Sequence, residues 1–537
     1  MSLSSMRALS TALILASGFA HASALAADLP PIPDRPAAEQ FKDAPAPWRD
    51  YLIQARAAER VADPLQRCLQ FPDLPDNEWP AGHAAARCRD HAAKAAIDQE
   101  VRSYLERGDF AGLETRLDQM LAHHFDRDPG EDIHYAFDVF DDQLHLAKVD
   151  AWTAAWLQQR PDSPYANLAR GVFYETSAWD ARGTKFSRQT PRENLRRMSD
   201  FVGRAIPLLD TAIRSNPRLM PAYEHLLDAA LVDSRHDDEA RAIKSAAAVD
   251  PACVGVATKR MQTMQPRWGG SYEDMLSYSA ELARYVPGRP QLANAAAAPF
   301  ADRGNWFVVN DQDTREAADV LDIAVRKSSD EDALNDAAEV AYNLSDAPPD
   351  VWKGLAYLLQ ESRFRVSNAW GNGTLARTFV HSDPEWSLRY ASRLLSVKPD
   401  AYAHYMLGAG YYNSRRFDDA EREYLIAAND PEQRKAALSE LADMWLFADS
   451  KLPAKARAAK AKPIVDRLLA EYPQLGIAWY LRVMQGLIAE HRIDMDSPEV
   501  RNFLKYYDRA NPRQTLAAQR LQGIGPETPE AKRLAKP

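Results

Sequence analysis

Between residues 402 and 431, small and apolar side chains recur three or four positions apart in two successive runs. That spacing places each set on one face of a helix, so the segment predicts two helices that pack against each other. The facing positions are Leu407, Gly408, Tyr411, Ala420, Tyr424 and Ala427. Because proline cannot continue a helix, we expect the second helix to stop before Asp430-Pro431.

The second half of this pattern recurs along the chain. Each copy places three residues on one helical face, 11, 7 and 4 positions before a proline, as in Asp150, Ala154, Leu157 and Pro161, and again in Leu276, Ala280, Ala283 and Pro287. Similar runs end at Pro217, Pro251, Pro399, Pro431 and Pro473. The interval from Pro287 to Pro399 spans 112 residues, which leaves room for three degenerate units. The alternative is that these prolines only follow helices, as in any all-α protein.

The hairpin at 402–431 and its copies resemble the tetratricopeptide (TPR) repeat. A unit of this kind cannot bury its apolar face alone and must stack against neighbours. The resemblance implies an all-α fold, a TPR-like α-solenoid of antiparallel helix pairs. Such a stack commonly serves as a binding scaffold.

The amino terminus has the pattern of a secretory signal peptide. Arg7 precedes an apolar stretch at residues 8–20, and small residues at 22–26 offer cleavage sites. We therefore expect a signal peptide at 1–26 and a periplasmic or secreted protein that has no stable membrane insertion after cleavage. An uncleaved anchor is the alternative.

The rest of the chain divides by composition. Residues 27–47 are rich in proline and predict a disordered tether, and residues 511–537 predict a disordered polar tail. Between them we expect a helical amino-terminal cap at 48–94, an irregular TPR-like domain at 95–300 and TPR-like repeats at 301–510.

The three cysteines bear on the compartment. Cys68 and Cys88 flank an irregular loop that contains three prolines, and export would expose both thiols to oxidants. We expect a Cys68–Cys88 disulfide, worth about 3 kcal/mol on the chain-entropy model. Two buried free thiols are the alternative. Cys253 is left unpaired and is expected to be a small buried hydrophobic residue, since no base is identified beside it.

Two local motifs depart from generic repeat chemistry. The first is Ala-Trp-x-Ala-Arg-Gly at residues 178–183, where Gly183 suits a helix C-cap. The second is Arg-Trp-Gly-Gly-Ser at residues 267–271, where two glycines predict a tight turn and Ser271 predicts a helix N-cap. Over residues 95–295 this pair of motifs resembles an uncharacterised bacterial family with a domain of unknown function. The resemblance implies a helical-repeat fold and brings no known reaction, cofactor or substrate.

The motif side chains have two interpretations. Trp179, Arg182, Arg267 and Trp268 could form a cleft in which guanidinium groups hold a carboxylate and indoles stack on a peptide or sugar. Alternatively, the two tryptophans fill a packing gap beside the insertion at 184–196, and the arginines bind helix carbonyl groups. These four residues are the candidate binding site.

One acidic segment also suggests a metal site. Its histidines and carboxylates are His123, His124, Asp126, Asp128, Glu131, Asp132, His134, Asp138, Asp141, Asp142 and His145. On one continuous helix, His134, Asp138, Asp141 and His145 would share a face, but the two histidines would lie about 16 Å apart, too far for one ion. We therefore interpret the segment as a solvated acidic face, with no metal site and no cofactor.

Charge and missing motifs narrow the function. The formal net charge of −10 disfavours nucleic acid as a partner. The sequence contains no P-loop, dinucleotide fingerprint or nucleophile elbow, which favours a binding protein over an enzyme. The leading hypothesis is an exported scaffold for a protein or peptide partner. The alternative is an envelope-polymer hydrolase with its site near Trp179, Arg182, Arg267 and Trp268.

Overall fold

A computed structural model of the chain describes residues 41–126, 129–185, 187–448 and 450–522. The predicted signal peptide, residues 27–40 of the predicted tether and residues 523–537 of the predicted tail lie outside this described part. The described residues divide into two compact units, an amino-terminal unit that ends at Val366 and a carboxyl-terminal unit that begins at Ser367. Both units are built from helices, and no β-strand occurs among the described residues.

The amino-terminal unit contains sixteen consecutive α-helices within its described residues. They are α1 (Ala46–Ala58), α2 (Pro64–Gln70), α3 (His83–Arg107), α4 (Phe110–His124), α5 (Asp132–Asp138), α6 (Leu146–Gln159), α7 (Pro164–Arg182), α8 (Arg192–Ser215), α9 (Met220–Val232), α10 (His236–Val249), α11 (Val254–Thr263), α12 (Tyr272–Leu282), α13 (Leu292–Val308), α14 (Arg315–Lys327), α15 (Glu331–Asn343) and α16 (Val351–Phe364). Most of them pack against the next helix in the chain, as expected for antiparallel pairs.

The carboxyl-terminal unit continues the same architecture. Its described helices are α17 (Ala369–Phe379), α18 (Pro384–Val397), α19 (Ala401–Asn413), α20 (Phe417–Ala427), α21 (Pro431–Phe447), α22 (Ala454–Glu471), α23 (Gly476–Glu490), α24 (Pro498–Tyr506) and α25 (Pro512–Leu521). The fold is therefore all-α, and each unit is a TPR-like series of antiparallel helix pairs.

The hairpin at 402–431 forms as predicted from α19 and α20. Asp400 starts α19 by accepting a hydrogen bond from the Ala403 amide, and the facing side chains of both helices are buried. Gly408 lies against the ring of Tyr424, where an added Cβ would come within 2.7 Å of a ring carbon. The small residue therefore lets the two helices approach closely enough to bury the tyrosine.

The prolines mark helix ends throughout. Each of the seven prolines that end the repeated pattern lies two to five residues after the last residue of a helix. Between Pro287 and Pro399 the structure has three helix pairs. The pairs α13/α14 and α15/α16 belong to the amino-terminal unit, and α17/α18 belongs to the carboxyl-terminal unit.

The predicted disulfide joins Cys68 in α2 to Cys88 in α3, with Cα atoms 5.7 Å apart. The stapled segment packs on helices that lie 246 to 295 residues later in the chain. Trp79 Nε1 donates a hydrogen bond to the Val325 carbonyl, and Arg363 Nε donates one to the Cys68 carbonyl. The sequence predicts a cap here but gives no indication of these distant contacts.

Four boundaries of the sequence-based division do not coincide with the helices and units of the structure. Helix α1 begins at Ala46, inside the predicted tether, and α3 runs across the expected boundary at 94. The compact units meet at 366/367 rather than at 300/301. Residues 512–521, expected to be disordered, form α25, because Asn511 caps the helix and Ala518 is buried. Composition alone did not reveal either local signal.

No helix in the described part of the chain combines the length and the apolar character needed to cross a membrane.

His83, at the start of α3, makes folding dependent on pH. Its Nε2 accepts a hydrogen bond from the Ser329 amide at 3.2 Å, and Nδ1 donates to the Pro290 carbonyl at 2.7 Å, so the ring must be neutral. Burial lowers the pKa of His83 to about 4, below its usual 6.5. The unfolded chain therefore binds the proton more tightly, and the free energy of unfolding falls as the pH drops from 6.5 towards 4, by about 3 kcal/mol from this group.

Urea unfolding of the His83→Gln variant should lose this part of the pH dependence. An unchanged dependence would contradict the assignment.

Close packing at Gly408 predicts a loss of stability in Gly408→Ala. The added methyl group would collide with Tyr424 and cost about 1–3 kcal/mol. Gly486→Ala, in α23, is the matched control, since nothing lies within 4 Å of its Cβ position and alanine favours a helix by about 1 kcal/mol. Thermal unfolding should show opposite shifts for the two variants, and equal shifts would contradict the prediction.

Candidate binding cleft

Both sequence motifs lie at the ends of helices in the amino-terminal unit. Trp179 and Arg182 occupy the last turn of α7, which ends at Gly183 with a φ of 70°. Arg267 and Trp268 belong to a short 3₁₀ helix that ends at Gly269 with a φ of 98°. Both φ values lie in the left-handed region that glycine adopts without a steric penalty.

The turn after Trp268 forms as predicted. A Cβ atom on Gly270 would collide with the Met264 carbonyl, so only glycine fits there. Ser271 then caps α12, since its hydroxyl oxygen accepts a hydrogen bond from the Asp274 amide at 3.1 Å. These constraints hold the 3₁₀ helix beside the end of α7.

Three of the four candidate residues form one aromatic and cationic group. The rings of Trp179 and Trp268 meet edge to face, with centroids 5.7 Å apart and an interplanar angle of 81°. The guanidinium carbon of Arg182 lies 5.7 Å from the Trp179 ring and 5.3 Å from the Trp268 ring. The Arg182 charge therefore interacts with the electron-rich faces of both indoles.

Arg267 makes its polar contacts outside this group, and its side chain is 55% exposed. Its Nε donates a hydrogen bond to Gln265 Oε1 at 2.8 Å, and Asp302 Oδ1 lies 3.9 Å from Nη2. Neither contact is a close bidentate ion pair, so the guanidinium keeps donors that a ligand can use.

An open cleft of about 880 Å³ lies beside these residues. Its lining residues are Arg182, Arg188, Leu195, Arg196, Met198, Ser199, Val232, Asp233, Ser234, Arg267 and Trp268. Four guanidinium groups therefore face one carboxylate. That carboxylate accepts hydrogen bonds from Arg235 Nε at 2.8 Å and from the Ser199 hydroxyl at 3.0 Å. The cleft has a local excess of positive charge although the whole chain is acidic.

The two interpretations of the motif each describe part of it. Trp179 is partly buried against the main hydrophobic core of the unit and is absent from the cleft lining, so it acts in packing. Arg182, Arg267 and Trp268 line the cleft. The Trp268 Nε1 atom is buried and has no hydrogen-bond partner among the described residues. An unpaired buried donor is costly to the stability of the fold.

The described cleft lining contains few acidic or basic groups of the kind that the hydrolase alternative requires. Among the described lining residues there is one carboxylate and no histidine. Hydrolysis of a polymer by paired carboxylates needs a second acidic group facing the first.

The acidic segment at 123–145 does not form the single helix that the sequence suggested. Helix α5 ends at Asp138, a short 3₁₀ helix covers residues 143–145, and α6 follows. His145 is exposed and pairs with Asp142, whereas His124, Glu131 and His134 are buried. The interpretation as one solvated face is therefore wrong for these three residues. Asp128 lies outside the described residues.

Cys253 is buried, as predicted, but a base does lie beside it. His134 Nε2 is 3.5 Å from the Cys253 sulfur atom. The two residues are 119 positions apart, so no local spacing could indicate the contact. Residues that are separated in sequence meet here only because α5 packs near the start of α11.

Comparison with known families supports part of the resemblance. Residues 97–232 match the sequence model of a family described as "Domain of unknown function (DUF4034)". The matched range contains the motif at 178–183, while the motif at 267–271 lies beyond it. The resemblance to a family of unknown function is confirmed over this range.

Other comparisons add little. A search of curated proteins found no match. Among solved structures, the TPR domain of P58(IPK), a crystal structure at 2.5 Å, matches with 13% sequence identity and a TM-score of 0.24. The match covers 73% of this chain and 96% of that chain. The TPR-like architecture is evident from the consecutive antiparallel helix pairs of this chain.

Proposed function

We propose that the protein is an exported helical-repeat scaffold that binds an acidic segment of a protein or peptide partner in the cleft beside Trp268. The observation that carries the proposal is the lining, in which four arginines and the side chain of Trp268 border one open space. TPR-like stacks commonly present such surfaces to protein partners.

The chemistry of the lining suits carboxylates. Guanidinium groups bind carboxylate oxygens through two parallel hydrogen bonds, and these bonds are stronger than those between neutral groups. Arg196 is exposed and makes no ion pair with another described residue, so its charge is available to a ligand. The volume of about 880 Å³ lies within the range of ligand-binding clefts and is large enough for a short peptide segment.

The charge distribution supports selectivity. The formal net charge of −10 repels extended polyanions such as nucleic acid, while the local arginine cluster attracts a short acidic segment. Such an arrangement favours a ligand that can enter the cleft without approaching the rest of the acidic surface. We therefore propose a peptide segment rather than a long polyanion as the ligand.

Export is the second part of the proposal. The sequence at 1–26 has the pattern of a signal peptide, and the Cys68–Cys88 disulfide is of the kind that persists in oxidising compartments. We propose a periplasmic or secreted location. We also propose that the irregular domain at 95–300 carries the ligand site and that residues 301–510 are TPR-like repeats.

Removing two cleft charges should weaken binding to an acidic peptide. We expect a fluorescently labelled glutamate-rich peptide to bind the wild-type chain, with an affinity that falls as salt increases. The Arg196→Gln/Arg267→Gln variant should bind about tenfold more weakly or worse, because two charge-assisted hydrogen bonds are lost. Fluorescence anisotropy at two salt concentrations measures both effects.

The matched control is a second arginine–tryptophan pair of the same unit. Arg303 lies 4.5 Å from the ring of Trp306, which is 41% exposed and lies outside the cleft. The Arg303→Gln/Trp306→Ala variant should keep wild-type affinity. Equal weakening in both variants, or no binding by the wild-type chain, would contradict the cleft assignment.

Export predicts an oxidised cysteine pair in the protein isolated from its native host. Alkylation without reductant, followed by mass spectrometry, should leave Cys68 and Cys88 unlabelled, and labelling should appear after reduction and unfolding. Labelling of both residues before reduction would contradict both the disulfide and the oxidising location.

A further inference from the structure

A cluster of metal-ligating side chains is buried in the amino-terminal unit, outside the cleft. One ligand atom from each of His124, His134 and Cys253 lies within 4.8 Å of the other two. All three residues are almost completely buried. His124 is the last residue of α4, His134 lies in α5, and Cys253 immediately precedes α11.

Carboxylates orient both histidine rings. His134 Nδ1 donates a hydrogen bond to Glu224 Oε2 at 2.6 Å, and His124 Nε2 donates one to Asp250 Oδ2 at 3.0 Å. Each ring is thereby left with a lone pair on its other nitrogen. Metal-binding histidines usually have this arrangement, in which a carboxylate fixes the tautomer and raises the basicity of the ligating nitrogen.

The remaining nitrogen atoms of the two rings differ in their surroundings. His124 Nδ1 is buried and makes no hydrogen bond to any described residue. His134 Nε2 faces the Cys253 sulfur atom at 3.5 Å. A buried imidazole nitrogen with no hydrogen bond is an unfavourable arrangement that coordination to a metal would relieve.

Glu131 is not one of the three mutually close residues, but it lies beside His134 and is the carboxylate placed to become a fourth ligand. Its Oε2 atom lies 3.8 Å from His134 Nε2, and its Oε1 atom is buried without a hydrogen bond. Arg289 lies near both Glu131 and Asp250, with Nη1 at 3.6 Å from the former and 3.1 Å from the latter. The Arg289 guanidinium group therefore lies close to the carboxylates of Glu131 and Asp250. A third carboxylate, that of Glu224, contacts His134.

The distances suit a tetrahedral ion. Zinc binds sulfur at about 2.3 Å and nitrogen at about 2.0 Å, which puts tetrahedral sulfur and nitrogen ligands about 3.6 Å apart. The 3.5 Å between Cys253 and His134 is close to this value. Nitrogen and oxygen ligands at about 2.0 Å from zinc lie about 3.3 Å apart, so the 3.8 Å between His134 and Glu131 would have to shorten. Small side-chain movements would complete the site.

The local sequence accommodates the cluster. A Cβ atom on Gly255 would collide with Glu224 and come within 2.7 Å of His134 Nδ1, so glycine allows α11 to approach this pair. Cys253 also borders a pocket of about 100 Å³, which gives solvent-sized space next to the sulfur atom.

We propose that His124, His134, Cys253 and Glu131 form a closed, four-ligand site for a divalent transition metal, with zinc the ion best suited to this mixture of nitrogen, sulfur and oxygen ligands. The site joins α4 and α5 to the start of α11, more than a hundred residues later. A site with no open coordination position stabilises structure. On binding, the Cys253 thiol loses its proton to solvent and its sulfur binds the metal as thiolate.

Cobalt(II) provides a direct test with the full chain. After chelator treatment and titration with cobalt chloride, we expect one ion per chain and a near-ultraviolet sulfur-to-cobalt charge-transfer band. Cys68 and Cys88 form the disulfide and the chain has three cysteines, so the band can come only from Cys253. Absence of the band in the folded wild-type chain at saturating cobalt would overturn the proposal, and no variant is needed for this result.

Variants separate metal binding from buried polar packing. Cys253→Ala and His134→Gln should lose the bound ion and the increase of several degrees in melting temperature that zinc gives the wild-type chain. His225→Gln is the matched control, because His225 Nδ1 makes a similar buried contact with Glu175 Oε2 at 3.0 Å but lies outside the cluster.

The control should retain one ion per chain by elemental analysis. Retention of the ion by Cys253→Ala would show that the ion binds without this sulfur atom, and equal loss in His225→Gln and His134→Gln would show a general loss of packing. Either result would overturn the proposal.

Discussion

The apolar face of each helix pair is covered by neighbouring helices, and the rest of the structure depends on how closely those helices approach. Helix α19 illustrates the constraint. Gly408 admits the Tyr424 ring of α20, and Gly410 admits the Leu388 side chain of α18, where a Cβ atom would come within 2.7 Å of each. One helix thus packs against both neighbours through two small residues. Larger residues would separate the helices and expose the tyrosine and leucine.

Where that regular packing is interrupted, polar groups gather. The loop between α7 and α8 and the short helix before α12 bring an arginine and two tryptophans together at their ends. Trp179 faces the core, and Trp268 and Arg182 face the open cleft. At this junction, Trp179 therefore contributes to the packing of the core, and Arg182 places a positive charge in the cleft. Function can change at such a junction without any change to the buried faces of the helices.

The buried polar clusters obey a different constraint. Placing ionisable side chains in a helical core costs stability unless each is paired. His83 meets this requirement through backbone and hydroxyl partners, and His225 through Glu175. His124 and Glu131 each keep one buried atom without a hydrogen bond. This difference sets the cluster around Cys253 apart from the other buried histidines described in the unit.

From the sequence alone we could predict the hairpin at 402–431, the ends of seven helices, the disulfide and the residues of the unusual motifs. These features follow from local rules, since helical period, proline and glycine act over a few residues. The tertiary structure was needed to show that the stapled segment packs near Val325 and Arg363. It also showed that Arg188 and Arg196 line the cleft and that His134 contacts Cys253. Those contacts join residues far apart in the chain, and the stacking of helices that creates them leaves no periodic signal in a single sequence.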